Sequence, residues 1–136
     1  MQQSIHLLFD GQCEEAFRSY EQSLGAKITF MSTYTGTPAE QQVPPEWRGK
    51  VLHASLALGD QTIMGADAPP GRYSKPQGFS VSLQMKDPAE ADRIFHALAE
   101  NGKVIMPIEQ TFWSPRFGML VDRFGIPWMI NCEQAA

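Results

Sequence analysis

Apolar residues in this chain follow two rhythms, one of strands and one of helices, and their order is repeated once. Ser4–Phe9 is a short apolar run halted by Asp10-Gly11, the length and punctuation of a strand. From Cys13 to Leu24 the apolar positions become Ala16, Phe17, Tyr20 and Leu24, separated by Glu14, Glu15, Arg18 and Glu21. That spacing predicts an amphipathic helix with one buried stripe, and Gly25 stands where a left-handed residue ends such a helix. Lys27–Tyr34 predicts a second strand. Val51–Leu58 and Gln61–Gly65 predict a hairpin around the two-residue turn Gly59-Asp60. Between them, Thr35–Lys50 carries Gly36, Pro38, Pro44, Pro45 and Gly49, which predicts a surface loop.

A second stretch rich in proline and glycine, Ala68–Gln77, separates this half from a similar one. Phe79–Met85 alternates Ser80, Ser82 and Gln84 with apolar residues. Asp87 fits an N-cap, Pro88 the first helical turn, and Glu90 a capping-box position. Ala91, Ile94, Phe95 and Leu98 give the helical stripe, which Gly102 is expected to close. Strands are expected at Val104–Met106, Arg116–Val121 and Pro127–Asn131, the last two joined by Arg123-Phe124-Gly125. A 75-residue offset superposes Glu15-Ala16 on Glu90-Ala91, Arg18 on Arg93 and Tyr20 on Phe95. A strand–helix–three-strand unit used twice accounts for the order of elements. We expect one domain over residues 1–136, with module one at about 1–67, a linker at about 68–77 and module two at about 78–133.

Composition narrows the function classes. With 136 residues, 43% apolar and 19% charged, the chain can bury a core without metal or disulfide staples. A net charge of -4 and the lack of a basic cluster argue against a nucleic-acid partner. The start, Met1-Gln2-Gln3-Ser4, has no basic segment followed by an apolar run, and no apolar stretch approaches the ~20 residues that cross a bilayer. A cytoplasmic protein with no membrane partner is expected. Cys13 and Cys132 belong to no metal or redox spacing and are expected to be reduced, with a disulfide left open. Cys13 opens a helix whose dipole would lower a thiol pKa, which makes a catalytic thiol an alternative.

Several words of the sequence go further. Phe9-Asp10-Gly11-Gln12-Cys13-Glu14-Glu15-Ala16-Phe17, His53-Ala54, Met64-Gly65-Ala66-Asp67, Gly78-Phe79-Ser80, Gln110-Thr111-Phe112-Trp113, Arg116-Phe117-Gly118 and Asp122 through Asn131 together resemble the PhnB-like branch of the vicinal oxygen chelate (glyoxalase/bleomycin-resistance/dioxygenase) superfamily. The resemblance covers nearly the whole chain. It implies an α+β fold of two βαβββ modules, whose U-shaped mixed sheets enclose a cavity, and a homodimer. Some members of that branch are named after 3-demethylubiquinone methyltransferase, yet this sequence has no glycine-rich strand–turn–helix for S-adenosylmethionine.

Superfamily enzymes hold a divalent metal with His and Glu side chains from the first and fourth strands of each module, where three or four ligands must converge within ~2.0–2.3 Å of the ion. Carried over position by position, three of those places fall on Ile5, Ser80 and Met129; the fourth-strand place of module one lacks an exact anchor, and His53, at the start of the Leu52-His53-Ala54 strand, fits its slot. His6 is one residue from Ile5, so strand alternation points it out of the cavity unless a bulge intervenes. No metal and no other cofactor are therefore expected, a divalent metal being the less favoured alternative. His53 is the candidate catalytic residue, as a general acid/base or a group that orients the ligand. A structural imidazole bonded to backbone or a serine, or a metal ligand, remain alternatives. Candidate ligand-binding residues are Met64, Ser80, Ser82, Phe112, Trp113, Arg116, Trp128 and Met129. Arg116 offers a planar fork to an anion, or pairs with Asp122 or Glu109. Of Trp128 and Met129, neighbours on one strand, one must face the cavity. His6 and His96 are expected to be structural.

The leading expectation is a small-molecule-binding protein or non-metal enzyme with its ligand in the cavity between modules. The alternatives are a metal-dependent lyase, isomerase or dioxygenase, and a sequestering protein without catalysis. Whether any reaction is catalysed stays open at this point.

Overall fold

The computed structural model describes residues 1–134 of the chain, so the last two positions of the expected domain lie outside the described residues. Two compact units meet at Ser74/Lys75, inside the expected linker. The first unit runs β1 (Ile5–Phe9), α1 (Cys13–Leu24), β2 (Lys27–Thr33), β3 (Val51–Leu58) and β4 (Gln61–Asp67), with two short 3₁₀ turns at Pro38–Gln42 and Pro45–Trp47. Its sheet is ordered β1-β4-β3-β2. β1 and β4 are parallel, and the other pairs are antiparallel.

Helix α1 follows the expected stripe, with Ala16, Phe17 and Tyr20 fully buried. They pack on Leu7, Phe9, Ala54 and Leu56, which are buried too; each large side chain removed from water contributes about 1.5–3 kcal/mol. Phe9 meets Phe17 edge-on with ring centroids 6.0 Å apart. Gly25 ends the helix in the left-handed region at φ 70°. At the other end Gln12 makes no side-chain cap. The cap comes from far along the chain, where buried Asp67 accepts from the Cys13 amide at 2.9 Å. Its other oxygen accepts from the Val51 amide at 2.8 Å, and its carbonyl accepts from the Tyr34 hydroxyl at 2.8 Å. One acid thus ties the start of α1, the start of β3 and the end of β4.

The second unit runs β5 (Val81–Met85), α2 (Pro88–Ala99), β6 (Lys103–Glu109), β7 (Phe117–Val121) and β8 (Pro127–Cys132), in sheet order β5-β8-β7-β6. It repeats the first unit's pattern, a parallel outer pair followed by antiparallel neighbours. Asp87 caps α2 as expected, accepting from the Ala89 amide at 3.0 Å. Three details differ from the expectations. Asn101, at φ 59°, takes the left-handed turn after α2 in place of Gly102. β6 extends to Glu109 through Pro107, which an edge strand with a local bulge tolerates. β5 begins at Val81 and leaves Ser80 outside the strand. The buried Asp122 organises the last turn, accepting from the amides of Phe124 and Ile126 and from Trp128 Nε1 at 2.9–3.0 Å.

Candidate functional site

Each sheet has one face under its helix and one face without it, and strand register decides which side chains occupy each. In the first sheet the pairs Ile5↔Ile63 and Leu56↔Ile63 lie on the helix side, where Ile63 and Leu56 are buried. The next row reads His6↔Met64↔Ser55↔Phe30, and the one beyond it Leu8↔Ala66, with His53↔Ser32 on the neighbouring pair. The expectation for β1 is therefore reversed. Ile5, aligned with the ligand position, sits on the helix side, while His6 stands on the uncovered face beside His53. The physical reason is the parallel β1–β4 pairing, which sets His6 opposite Met64.

The two imidazoles lie 6.2 Å apart between centroids, 27° from parallel, and the Phe30 ring is 5.9 Å from His53. Among the described residues neither histidine has a hydrogen-bond partner, and no carboxylate orients either ring. His96 is different: its Nδ1 lies 2.7 Å from the Asp92 carbonyl oxygen, the anchored geometry of a structural histidine. Partial burial, and secondarily the neighbouring His53, hold the His6 pKa below the ordinary histidine value. Two imidazoles supply two of the three or four donors a transition-metal site needs. Among the described residues no three His, Cys, Asp or Glu side chains converge.

The second sheet carries the equivalent rows with different chemistry. Ser82 pairs with Met129, and Met129 with Met119, which pairs with Met106. Gln84 bridges along this face, donating to Ser82 Oγ at 3.1 Å and accepting from Asn131 Nδ2 at 2.6 Å. Phe117 pairs with Asn131 and lies 5.4 Å from Trp113, which meets Phe112 edge-on at 4.7 Å. Thr111 and Ser114 hold that corner rigid, Thr111 Oγ1 accepting the Ser114 amide at 3.0 Å and Ser114 Oγ donating to the Arg116 and Cys132 carbonyls at 2.7 Å. The loop presents Phe112 at 91% and Trp113 at 47% exposure.

The structure thus groups His53 and Met64 on one face, and Ser82, Phe112, Trp113 and Met129 on the other unit's face. Two of the remaining candidates part company with them. Trp128 is fully buried on the helix side and donates to Asp122, so Met129 is the one of the pair on the uncovered face. Arg116 turns toward α2, its Nε 3.1 Å from Asp92; it does not join Trp113 in one mouth, and its partner is neither Asp122 nor Glu109. There it borders a groove of about 690 Å³ between α2 and β6, lined also by Phe95, His96, Val104 and Ile108. Ser80 is half-buried ahead of β5. Cys13 and Cys132 are free, buried thiols. Burial, with Asp67 and Glu14 nearby, pushes the Cys13 pKa far up, which reverses the effect expected from the helix dipole and removes it as a nucleophile. The residues the sequence left unmarked are His6, Phe30, Ser55, Phe117 and Met119. Counting back from the Leu58↔Gln61 hairpin pair places Ser55 opposite Met64, a local signal; alternation with buried Leu7 and Phe9 gives the face of His6, and the non-local β1–β4 register gives its partner Met64.

Comparison with known proteins agrees with the resemblance. The family described as 3-demethylubiquinone-9 3-methyltransferase matches residues 2–131. Protein YjdN of Escherichia coli (strain K12) is 33% identical, over 94% of this chain and 92% of the relative. Among solved structures, protein PA1353 from Pseudomonas aeruginosa is 43% identical with a TM-score of 0.90, covering 99% of both chains. A PhnB protein from Bacillus cereus, described as a putative 3-demethylubiquinone-9 3-methyltransferase, is 26% identical with a TM-score of 0.82, covering 97% of this chain and 99% of that one. A glyoxylase/bleomycin resistance protein/dioxygenase domain from Frankia sp. EAN1pec, at 14% identity, TM-score 0.65 and 98% coverage of both chains, shares the fold. No helix among the described residues is long and apolar enough to cross a membrane.

Proposed function

We propose, for a chain that belongs to the PhnB-like, 3-demethylubiquinone-9 3-methyltransferase family, a small-molecule-binding role in which His53 orients or protonates the ligand on the uncovered face of the first sheet. The observation that carries this is an imidazole with no hydrogen-bond partner among the described residues, set on a sheet face beside an aromatic ring, a thioether and hydroxyls. A neutral imidazole offers one donor and one acceptor nitrogen, so one ring can hold a ligand group of either kind or pass it a proton. Phe30 and Met64 supply apolar contact, so the face combines a few polar anchors with apolar walls, as small-molecule sites do. Methyl transfer is not part of the proposal, because β1 leads into α1 through Asp10-Gly11-Gln12 with no glycine-rich cradle for a nucleotide-like cofactor.

A second reading, binding without catalysis, is favoured by the second unit's face. Ser82, Gln84, Met119, Met129 and Asn131 offer contact and hydrogen bonds but no group that titrates near neutral pH. Thermal-shift screening of neutral, anionic and cationic small molecules against wild type and His53→Gln tests the first reading, since a ligand of the native state raises stability. Hits lost in His53→Gln support it. Hits that persist there and vanish in Trp113→Ala shift the site to the second unit. Homodimerisation and a cytoplasmic location belong to the same proposal, and light scattering at micromolar concentration tests the former.

A further inference from the structure

The role proposed for His53 has no use for a second imidazole, yet His6 stands beside it, 6.2 Å away and nearly parallel. Two features set this pair apart from ordinary surface histidines. Among the described residues neither ring is anchored by a hydrogen bond, whereas His96 is. No negative charge faces them from any strand of their sheet. β1 contributes Leu8, β4 contributes Thr62, Met64 and Ala66, and β3 contributes Ser55 and Ala57. β2 contributes Phe30 and Ser32, with Lys27 one row further on, level with Ala57. The nearest acid on these strands, Asp67, is buried, with both oxygens already holding backbone amides.

Two adjacent imidazoles without a counter-ion repel one another when both carry a proton. Burial and the His53 charge accordingly hold His6 below its ordinary value in the free protein. An anion resting against both rings reverses that balance, because each N–H then donates a charge-assisted hydrogen bond. Two imidazoles offer at most two positive charges, and the face holds no guanidinium fork and no helix N-terminus. That set suits a single negative charge better than a phosphate dianion. Phe30 and Met64 lie on the same row as His6 and receive an apolar or aromatic body.

We infer that His6 and His53 together form a receptor for the anionic group of an organic carboxylate, whose apolar body lies along Phe30 and Met64. The inference rests on the reading that the first sheet's uncovered face is the ligand site. Binding then takes up a proton. Affinity is constant while the free imidazoles are already charged. It falls by up to tenfold per pH unit for each proton taken up as pH rises between the free and the bound titrations, and it is flat again above the latter.

Benzoate is the probe, with benzyl alcohol as the neutral match of similar shape. The readouts are the histidine Cε1–Hε1 resonances of the full chain, and calorimetry in two buffers of different ionisation enthalpy. We expect benzoate to move the His6 and His53 resonances together, leave that of His96 in place, and take up a proton. His6→Gln and His53→Gln should each weaken it about tenfold or more near pH 5.5, with unchanged circular dichroism. If benzyl alcohol binds as tightly as benzoate and is lost in His53→Gln, the ligand site stands and the carboxylate receptor is wrong. If benzoate binds without proton uptake, or His6→Gln leaves its affinity unchanged, the paired role is wrong. If neither probe moves these resonances at millimolar concentration, both readings fall. Stoichiometric Zn²⁺ or Ni²⁺ shifting the pair where benzoate does not would make it a metal site instead.

Discussion

Replacing Asp67 tests whether one buried acid sets the geometry of the first unit. Its two carboxylate oxygens hold the Cys13 amide at 2.9 Å and the Val51 amide at 2.8 Å. The first of these does the work of an N-cap, since Gln12 provides none. A hydrogen bond to a charged group contributes about 1.5–3 kcal/mol, and a buried donor left without a partner costs a similar amount. Asp67→Ala orphans two such donors, so a loss of about 3–6 kcal/mol is expected from a total of about 5–15 kcal/mol. Asp67→Asn keeps the shape but points an NH₂ at one of the amides, so about 2–3 kcal/mol is expected. Tyr34→Phe removes the hydroxyl that donates to the Asp67 carbonyl and should cost about 0.5–1.5 kcal/mol. Urea unfolding followed by circular dichroism gives these values from the midpoint at constant slope. Val51 lies two residues before His53 on β3, so the Asn variant should also shift the His53 ring resonance. An Asn variant whose midpoint and His53 resonance both match wild type would refute the claim that the carboxylate ties α1 to β3.

Four further outcomes follow from the same geometry. A Cβ at Gly118 would lie 2.7 Å from Phe95 Cε2 and 2.9 Å from Ile108 Cα, while one at Gly49 would meet nothing within 4 Å; Gly118→Ala should destabilise by about 1–3 kcal/mol or more, and Gly49→Ala should be neutral or slightly stabilising in the same urea assay. Cys13 and Cys132 are buried with raised pKa values, so neither should react with a disulfide reagent until the chain is unfolded, when both should. The Arg116–Asp92 pair is only partly buried, at 38% and 40% side-chain exposure, and Arg116→Gln should cost under about 1 kcal/mol and lose its effect at high salt. The folded His6 pKa lies below the unfolded value of 6.5, so folding favours the neutral ring; wild type should lose stability relative to His6→Gln as pH falls through 6.5 toward the folded value, and a difference of opposite sign would contradict the lowered pKa.

Local signals carried the order of elements. The Asp87 cap, the Gly25 stop, the Gly59-Asp60 turn and the two helical stripes each depend on residues a few positions apart. Non-local pairing was the part that stayed hidden. Alternation within Ser4–Phe9 puts Ile5, Leu7 and Phe9 on one face and His6 and Leu8 on the other, but which residue of β4 stands opposite His6 is fixed only by the β1–β4 register. Asp67 lay beyond the expected strand Gln61–Gly65, because a burial requirement met by amides 54 and 16 residues away leaves no mark on spacing. Arg116 looked free beside two aromatics until α2 brought Asp92 to it. Phe112, Trp113 and Met129 were easier to place, since a short loop and one strand's alternation fix them.

The repeat, followed through the sheets rather than along the chain, separates scaffold from chemistry. Helices superpose at an offset of 75, but register equates His6 with Ser82, Met64 with Met129, Ser55 with Met119, Phe30 with Met106 and His53 with Phe117. The helix-side partners stay alike, Ala16 with Ala91 and Tyr20 with Phe95, all buried. Packing constrains the covered face, where a changed volume costs stability at once. On the face away from the helix every one of the five equivalent pairs except the two methionines differs in kind. Both titratable groups fall in the first unit and the larger apolar surface in the second. On these two faces the methionines Met64 and Met129 are the shared element, and the imidazoles His6 and His53 belong to the first sheet alone. The proposed ligand site is accordingly placed on the first sheet, which carries both imidazoles, although the larger exposed aromatics, Phe112 and Trp113, lie in the second unit.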